Sequence, residues 1–245
     1  MTRLLDSESY LLVLTGAGIS AESGVPTFRD ANGLWEGHAV EDVASPDGFA
    51  RDPLLVWKFY SERRANMTGV VPNAGHRALA EVEQRLGERF LLVTQNVDGL
   101  HTAAGSQRVV EMHGNLMRSR CTVCDRPPFE DRTAYKPGVA PMCGRCRAQG
   151  ADALLRPDIV WFGEMIPPDA LARIAAFVEA AGRQIRFLAV GTSGLVYPAA
   201  GLVDVVRSRG GRTWLVNAER PANVDRFDEV SIGPAGATLP ALLAS

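Results

Sequence analysis

Gln95, Asn96 and Asp98 stand together directly after the apolar run Phe90-Leu91-Leu92-Val93. Packing alone gives no reason to crowd amides and a carboxylate at the end of a buried strand. In open α/β folds such strand ends carry ligand chemistry. A lone histidine beside a glycine follows, His113-Gly114, and then Cys121-x-x-Cys124, half of a metal site.

The second half is Cys143-x-x-Cys146, with eighteen residues between the two pairs. Two residues inside each pair let both thiolates turn onto one ion, and four thiolates complete a closed tetrahedral zinc shell. Two disulfides or a redox pair are the alternatives, and without a secretion signal zinc is expected. Four sulfurs leave no open position for substrate, so the metal is structural and the chemistry lies elsewhere. A zinc ribbon also raises nucleic-acid binding, with Arg118, Arg120, Arg126, Arg132, Arg145 and Arg147 as phosphate contacts. Interleaved Asp125, Glu130 and Asp131, sparse aromatics and a net charge of −2 argue against it.

The run Gly16-Ala17-Gly18-Ile19-Ser20-Ala21 fits G-x-G-x-x-A, a turn that lets backbone approach a pyrophosphate. An ordinary tight strand-to-helix turn would read the same way. A dehydrogenase would continue into a helix and a second strand ending in an acid. This chain instead gives Phe28-Arg29-Asp30 and Gly33-Leu34-Trp35. That is loop chemistry, with Arg29 available for phosphate and Phe28 and Trp35 for ring packing.

These groups need a scaffold. Apolar runs at Tyr10–Leu14, Arg89–Thr94, Arg186–Val190 and Thr213–Val216, with a weaker one at Phe227–Ile232, read as buried parallel strands. Helical patterns lie between them. One has Asn73 as N-cap with Ala78, Leu79, Val82 and Leu86 in phase, and another spans Pro168 to Ala180. The fold class is α/β, a doubly wound parallel sheet. From about Met117 to Leu155 both periodicities vanish, and such a segment needs a staple to hold it. The chain has 245 residues, enough for one large domain with a small insert. No apolar run reaches the length of a membrane span, so a cytoplasmic protein without a membrane partner is expected. The slightly acidic charge gives no case for nucleic acid.

Taken together these residues resemble the sirtuins, NAD-dependent protein deacylases. The matching pieces are Gly16-Ala17-Gly18-Ile19-Ser20, Phe28-Arg29, Gln95-Asn96-Val97-Asp98, His113-Gly114, both CxxC pairs, Val160-Trp161-Phe162-Gly163-Glu164, Gly191-Thr192-Ser193 and Asn217. They cover nearly the whole chain in the expected order. The resemblance implies a Rossmann-like domain from residues 1–35, 86–116 and 156–245. It also implies a small domain with a helical part, 36–85, and a zinc-ribbon part, 117–155. NAD is the implied co-substrate, one zinc the structural metal, and acyl-lysine proteins or peptides the partners. A monomer is expected.

The resemblance makes His113 the general base, a role open to imidazole because its pKa lies near neutrality. In the implied mechanism the acyl oxygen attacks the nicotinamide ribose, nicotinamide leaves, and His113 activates the ribose diol. The products are free lysine, nicotinamide and O-acyl-ADP-ribose. Asn96 and Asp98 become nicotinamide-pocket residues, and Gly16, Ala17, Gly18, Ser20, Phe28, Arg29, Trp35, Gln95 and Val97 further cofactor contacts. Gly191, Thr192 and Ser193 look like phosphate or ribose contacts, Asn217 like the adenosine-ribose contact, and Ala218, Glu219 and Ala235 are further cofactor contacts. Val160, Phe162 and Gly163 resemble the segment that binds peptide by strand addition. His38, His76 and His101 read as structural, whereas Gly114 is expected to leave the surroundings of His113 open.

The acyl group is addressed by Tyr60-Ser61-Glu62-Arg63. At i and i+3 of a helix, the phenol and guanidinium share a face and can hold a carboxylate. Tyr-x-x-Arg resembles the sirtuin subgroup that removes negatively charged acyl groups. Ala44 matches the small residue that leaves room for a longer chain, and Thr27 also fits. The expected reaction is removal of succinyl and malonyl groups, with acetyl as well. The contrary reading makes Tyr60 a core residue and Arg63 and Arg64 solvated charges. Asp30 and Met112 depart slightly from the sirtuin pattern, and Asp30 adds an acid near the phosphate site. A mono-ADP-ribosyltransferase using the same NAD pocket and a non-enzymatic zinc-ribbon module remain alternatives.

Overall fold

Apolar runs too short for helices and apolar at every position must be covered on both faces. The computed structural model describes residues 3–26, 34, 35, 37–192 and 201–244, with Leu34 and Trp35 described through their backbone alone. Its strands are β1 (Tyr10–Thr15), β2 (Leu34–Trp35), β3 (His38–Ala39), β4 (Phe90–Thr94), β5 (Val109–Glu111), β6 (Gly114–Cys121), β7 (Phe129–Glu130), β8 (Leu155–Ile159), β9 (Ile185–Val190), β10 (Arg212–Asn217) and β11 (Glu229–Ile232). Its helices are α1 (Val40–Val43), α2 (Pro46–Arg51), α3 (Pro53–Asn66), α4 (Ala74–Leu86), α5 (Leu100–Ala103), α6 (Gly144–Ala148), α7 (Pro168–Ala181), α8 (Leu202–Ser208) and α9 (Ala235–Ala244).

Six parallel strands form one sheet in the order β11-β10-β9-β1-β4-β5. Alternation sorts their side chains. Leu11, Val13, Phe90, Leu92, Leu188 and Trp214 face α4 and α9, and Leu12, Leu14, Leu91, Val93, Phe187 and Leu215 face α7 and α8. From β1 the chain winds outward through β4 and β5, then returns to the other side of β1 for β9, β10 and β11. The order therefore reverses at β1, and a crevice opens at the carboxyl ends of β1, β4 and β9. Asn73 caps α4 as expected and also ties it to the glycine turn, donating to the Ile19 carbonyl at 2.7 Å.

The expected helical segment 36–85 divides between two cores. Ala78, Leu79 and Val82 of α4 pack on the large sheet. Helices α1 to α3 instead share a core with the cysteine segment, through Val43, Phe49, Trp57, Phe59 and Tyr60 against Leu116, Cys143, Cys146 and Leu155. The segment without readable periodicity holds an antiparallel sheet, β7-β6-β8. Among the described residues no helix is long and apolar enough to cross a membrane.

Arg64 joins these pieces. Asp52 caps α3 at the Leu55 amide and Pro53 opens the helix, which brings Trp57, Tyr60, Ser61 and Arg64 inward. The Arg64 guanidinium donates to the carbonyls of Leu116, Arg118 and Thr133, to the Ser119 hydroxyl and to the Asp131 carboxylate, all within 3.1 Å. Reading Arg64 as a solvated charge is therefore overturned. Burial alone would raise the Asp131 pKa, but the Ser119 hydroxyl and the Arg64 charge hold it below the ordinary carboxylate value. Arg64→Met leaves that carboxylate buried without a cation and is expected to lower the unfolding free energy by about 3–5 kcal/mol. Urea denaturation measures this; a loss within about 1 kcal/mol would mean that the pair behaves as a surface contact.

Candidate functional site

The turns after β1 and β9 meet closely. The Gly16 amide donates to the Val190 carbonyl at 3.0 Å and the Gly18 amide to the Gly191 carbonyl at 2.9 Å. A Cβ on Gly18 would lie 2.7 Å from the Gly191 Cα, and Gly191 itself has φ of +59°. Only glycines permit this approach. After Gly16 the chain forms a short 3₁₀ segment, Ala17–Ser23, rather than the long helix of a dehydrogenase.

The polar cluster after β4 locks onto that turn. Ser20 is buried and donates to the Asp98 carboxylate at 2.7 Å. The side-chain nitrogen of Asn96 donates to the Gly16 carbonyl at 3.1 Å and to the Ser20 hydroxyl at 3.2 Å. Gln95 reaches Thr192, at the end of β9, through a 3.0 Å bond to its hydroxyl. The Val97 carbonyl accepts from the Leu116 amide, tying this loop to β6. Thus Gly16, Gly18, Ser20, Gln95, Asn96, Asp98, Gly191 and Thr192 are brought to one crevice.

His113 sits on the turn between β5 and β6, half-buried. Its Nδ1 lies 2.9 Å from the Gln95 carbonyl oxygen. A carbonyl only accepts, so Nδ1 carries the proton and the neutral ring keeps its lone pair on Nε2. Burial lowers the His113 pKa below the ordinary 6.5, against a smaller opposing effect from that hydrogen bond. The ring is therefore neutral at physiological pH. Gly114 does the opposite of opening space. Its φ is +82°, and a Cβ there would lie 2.0 Å from the Asp158 carbonyl oxygen. Glycine is required so that β6 can meet β8 beside the histidine.

On the far side of His113, the Val160 amide donates to its carbonyl at 2.9 Å. The Phe162 amide donates to the Ala44 carbonyl at 3.0 Å, and the Phe162 side chain is 54% exposed. An open cleft of about 510 Å³, lined by Val40, Glu41, Ser45, Asp47, Arg51 and Phe162, runs beside this segment. Gly163 turns the chain with φ of +86°. Ala44 is buried in the same core as Tyr60 and Trp161. Tyr60 is wholly buried, as the contrary reading expects of its ring, and its hydroxyl accepts from the Trp161 indole at 2.9 Å. One turn along α3, Arg63 is half-buried with its guanidinium 5.5 Å from the Phe59 ring centre.

Asn217 ends β10 at the same edge of the sheet, followed by exposed Ala218 and Glu219. Ala235 is buried in the core against α4, so only its backbone is left to meet a ligand. Phe28, Arg29 and Ser193, with Thr27 and Asp30, lie outside the described residues, as does the side chain of Trp35.

The four cysteine sulfurs lie within 4.8 Å of one another. Cys121 and Cys146 are 3.6 Å apart, and Cys124 and Cys143 are 3.8 Å apart. Zinc held at about 2.3 Å from four sulfurs requires edges of about 3.8 Å, so the set fits a closed tetrahedral site. Backbone amides of Val123 and Cys124 point at the Cys121 sulfur at 3.3 Å, which favours a thiolate.

A sequence profile of the Sir2 family matches residues 16–198. The chain belongs to the Sir2 family. An NAD-dependent protein deacylase of Thermococcus kodakarensis is 44% identical, covering 98% of this chain and 92% of its own length. One from Salmonella typhimurium is 46% identical over 94% of this chain and 81% of its own length. A solved Sir2 homologue–NAD complex, 42% identical, aligns with a TM-score of 0.86 over 97% of this chain and 89% of that one. A Sir2–p53 peptide–NAD+ structure, 28% identical, aligns at 0.78 over 98% and 95%.

Two residues of this Sir2 chain escape a reading by motif spacing. The resemblance assigns Val160, Phe162 and Gly163 to the peptide and gives Trp161 no role, although a core tryptophan must find an acceptor for its N–H. Arg64 is masked by Arg63 beside it. The metal site is checked by elemental analysis. One zinc per chain is expected, and Cys143→Ser is expected to lose the metal and lower the melting temperature. A chain that keeps its melting temperature without zinc would make the cysteines dispensable.

Proposed function

We propose that this chain is an NAD-dependent protein deacylase that removes succinyl and malonyl groups, and acetyl as well, from lysine side chains. The observation that carries the proposal is His113, whose Nδ1 proton is committed to the Gln95 carbonyl of the strand-end cluster, so that the ring's lone pair lies on Nε2. The Sir2 relatives named NAD-dependent protein deacylases support the reaction class.

NAD would supply the ADP-ribose that accepts the acyl group; nicotinamide leaves, one water is consumed, and the lysine amine departs protonated. His113 Nε2 takes the proton from a ribose hydroxyl, and the resulting imidazolium strengthens its bond to the Gln95 carbonyl. Asn96 uses its nitrogen within the protein, which leaves its side-chain oxygen for a carboxamide N–H. Asp98 holds Ser20 and the first amide of α5, so it fixes the shape of the nicotinamide pocket as well as lining it. Gly16, Gly18 and Gly191 let the backbone approach a pyrophosphate, Thr192 and Ser193 serve phosphate or ribose, and Asn217 serves the adenosine ribose. Val160 to Gly163 receives the peptide as an added strand.

The anionic acyl preference rests on Arg63 and Tyr60, one helical turn apart, with small Ala44 in the same cluster. Arg63 offers the paired donors that a carboxylate takes.

Mass spectrometry of matched succinyl and acetyl peptides is expected to give O-acyl-ADP-ribose and free lysine only when NAD is present. His113→Ala should lower kcat by at least about a hundredfold; a variant retaining most turnover would remove the base assignment. Because the base must be unprotonated, kcat/KM should fall as pH drops through the lowered His113 pKa and stay flat above 6.5. An acid limb above neutrality would contradict it. Arg63→Met should raise KM for succinyl-lysine by about tenfold or more and far less for acetyl-lysine. Equal effects would end the carboxylate assignment.

A further inference from the structure

Tyr60 and Trp161 make a hydrogen bond whose direction has only one solution. The indole nitrogen is a donor and has no acceptor capacity. At 2.9 Å from the Tyr60 hydroxyl it must therefore give its proton to the phenol oxygen. The phenol's own proton cannot point back along that line, and among the described residues no acceptor takes it.

The tryptophan is in no position to turn away. Trp161 is 3% exposed, and the Arg156 guanidinium lies 3.4 Å from its ring centre. Arg156 is in turn forked onto Glu164 by bonds of 2.6 and 2.9 Å. The same carboxylate accepts the Trp161 backbone amide at 2.8 Å. Backbone and ring are thus both braced by one ion pair. Burial also raises the phenol pKa far above neutrality, so the hydroxyl keeps its proton at any working pH. A buried O–H donor without an acceptor is unfavourable until a ligand brings one.

We infer that Trp161 is a positioning residue for acyl selection, whose indole N–H makes the Tyr60 hydroxyl an obligate donor toward the anionic end of the acyl chain. This rests on the reading that Tyr60 and Arg63 receive a carboxylate. A hydroxyl held as donor favours an acceptor-only carboxylate and gains nothing from an acetyl methyl. Trp161, set between the peptide-binding positions Val160 and Phe162, would then join recognition of the peptide to recognition of its acyl group.

Trp161→Phe keeps a ring and removes the N–H. KM for succinyl-lysine is expected to rise about fivefold, roughly one neutral hydrogen bond, with a much smaller change for acetyl-lysine. In a Tyr60→Phe background the same change should add nothing to the succinyl KM, because the indole acts through the hydroxyl. If Trp161→Phe proves unstable, site-specific replacement by the benzothienyl analogue, which carries sulfur for the N–H at the same shape, makes the same measurement. Equal rises for both acyl groups, or an effect that persists in the Tyr60→Phe background, would reduce Trp161 to a packing residue and overturn the inference. Arg63→Met, run in parallel, separates the two claims. If it discriminates succinyl from acetyl while Trp161→Phe does not, the inference fails and the carboxylate reading stands. If neither discriminates, both fail.

Discussion

The guanidinium of Arg64 is the point on which the small domain depends. Its five N–H donors meet five acceptors, contributed by β6 and by the segment around Asp131 and Thr133. Strand β6 begins beside His113 and ends at Cys121. One buried charge therefore fixes three things at once: the helix carrying Tyr60 and Arg63, the strand leaving the histidine, and the linker between the cysteine pairs. A buried ion pair is weak evidence for net stability compared with apolar packing. Its effect here is to specify geometry, since only a planar fork can match so many oxygens simultaneously. Zinc fastens the far end of the same strand, so metal and arginine divide a task that apolar burial cannot perform in so short a segment.

That division explains what could be read in advance. The parallel strands were legible because burial on both faces leaves an unbroken apolar run, and β1, β4, β9 and β10 fall within a residue or so of the expected bounds. Strand β6 reads Gly-Asn-Leu-Met-Arg-Ser-Arg-Cys, with no apolar run and only partial alternation. Its stability comes from Arg64, from the β8 ladder and from the metal, none of which leaves a local periodicity. Edge strand β5, only three residues long, is too short to form a readable apolar run. Helix α4 has a strong apolar face, yet nothing local tells which of two cores that face will join.

The site shows the same boundary. Residue types at strand ends pointed to the crevice, because polar side chains there have no packing role and the winding of the sheet reverses at β1. What spacing could not supply was direction. Arg63 and Arg64 are adjacent, and a rotation of about 100° per residue sends Arg64 into the β6 junction and leaves Arg63 half-buried beside the Phe59 ring. Gly114 suggested room, whereas its missing side chain lets the Asp158 carbonyl come close. A glycine permits both open space and backbone contact, and the sequence carries no mark that separates the two.

The histidines make the final distinction. His76 accepts the Asn73 amide on Nδ1 and meets the Ser20 hydroxyl with Nε2, so both nitrogens are engaged in holding α4 and the glycine turn. His101 is enclosed, with Nε2 against the Thr15 hydroxyl and Nδ1 without a partner. Burial lowers the pKa of each, as it does for His113, so a depressed pKa does not single out the proposed base. Access and direction do. Only His113 combines an Nδ1–H fixed by a carbonyl that also belongs to the strand-end cluster with an Nε2 that no described residue occupies. The Gln95 carbonyl thereby links the two parts of the proposed chemistry, because the residue that orients the base also reaches Thr192 across the crevice.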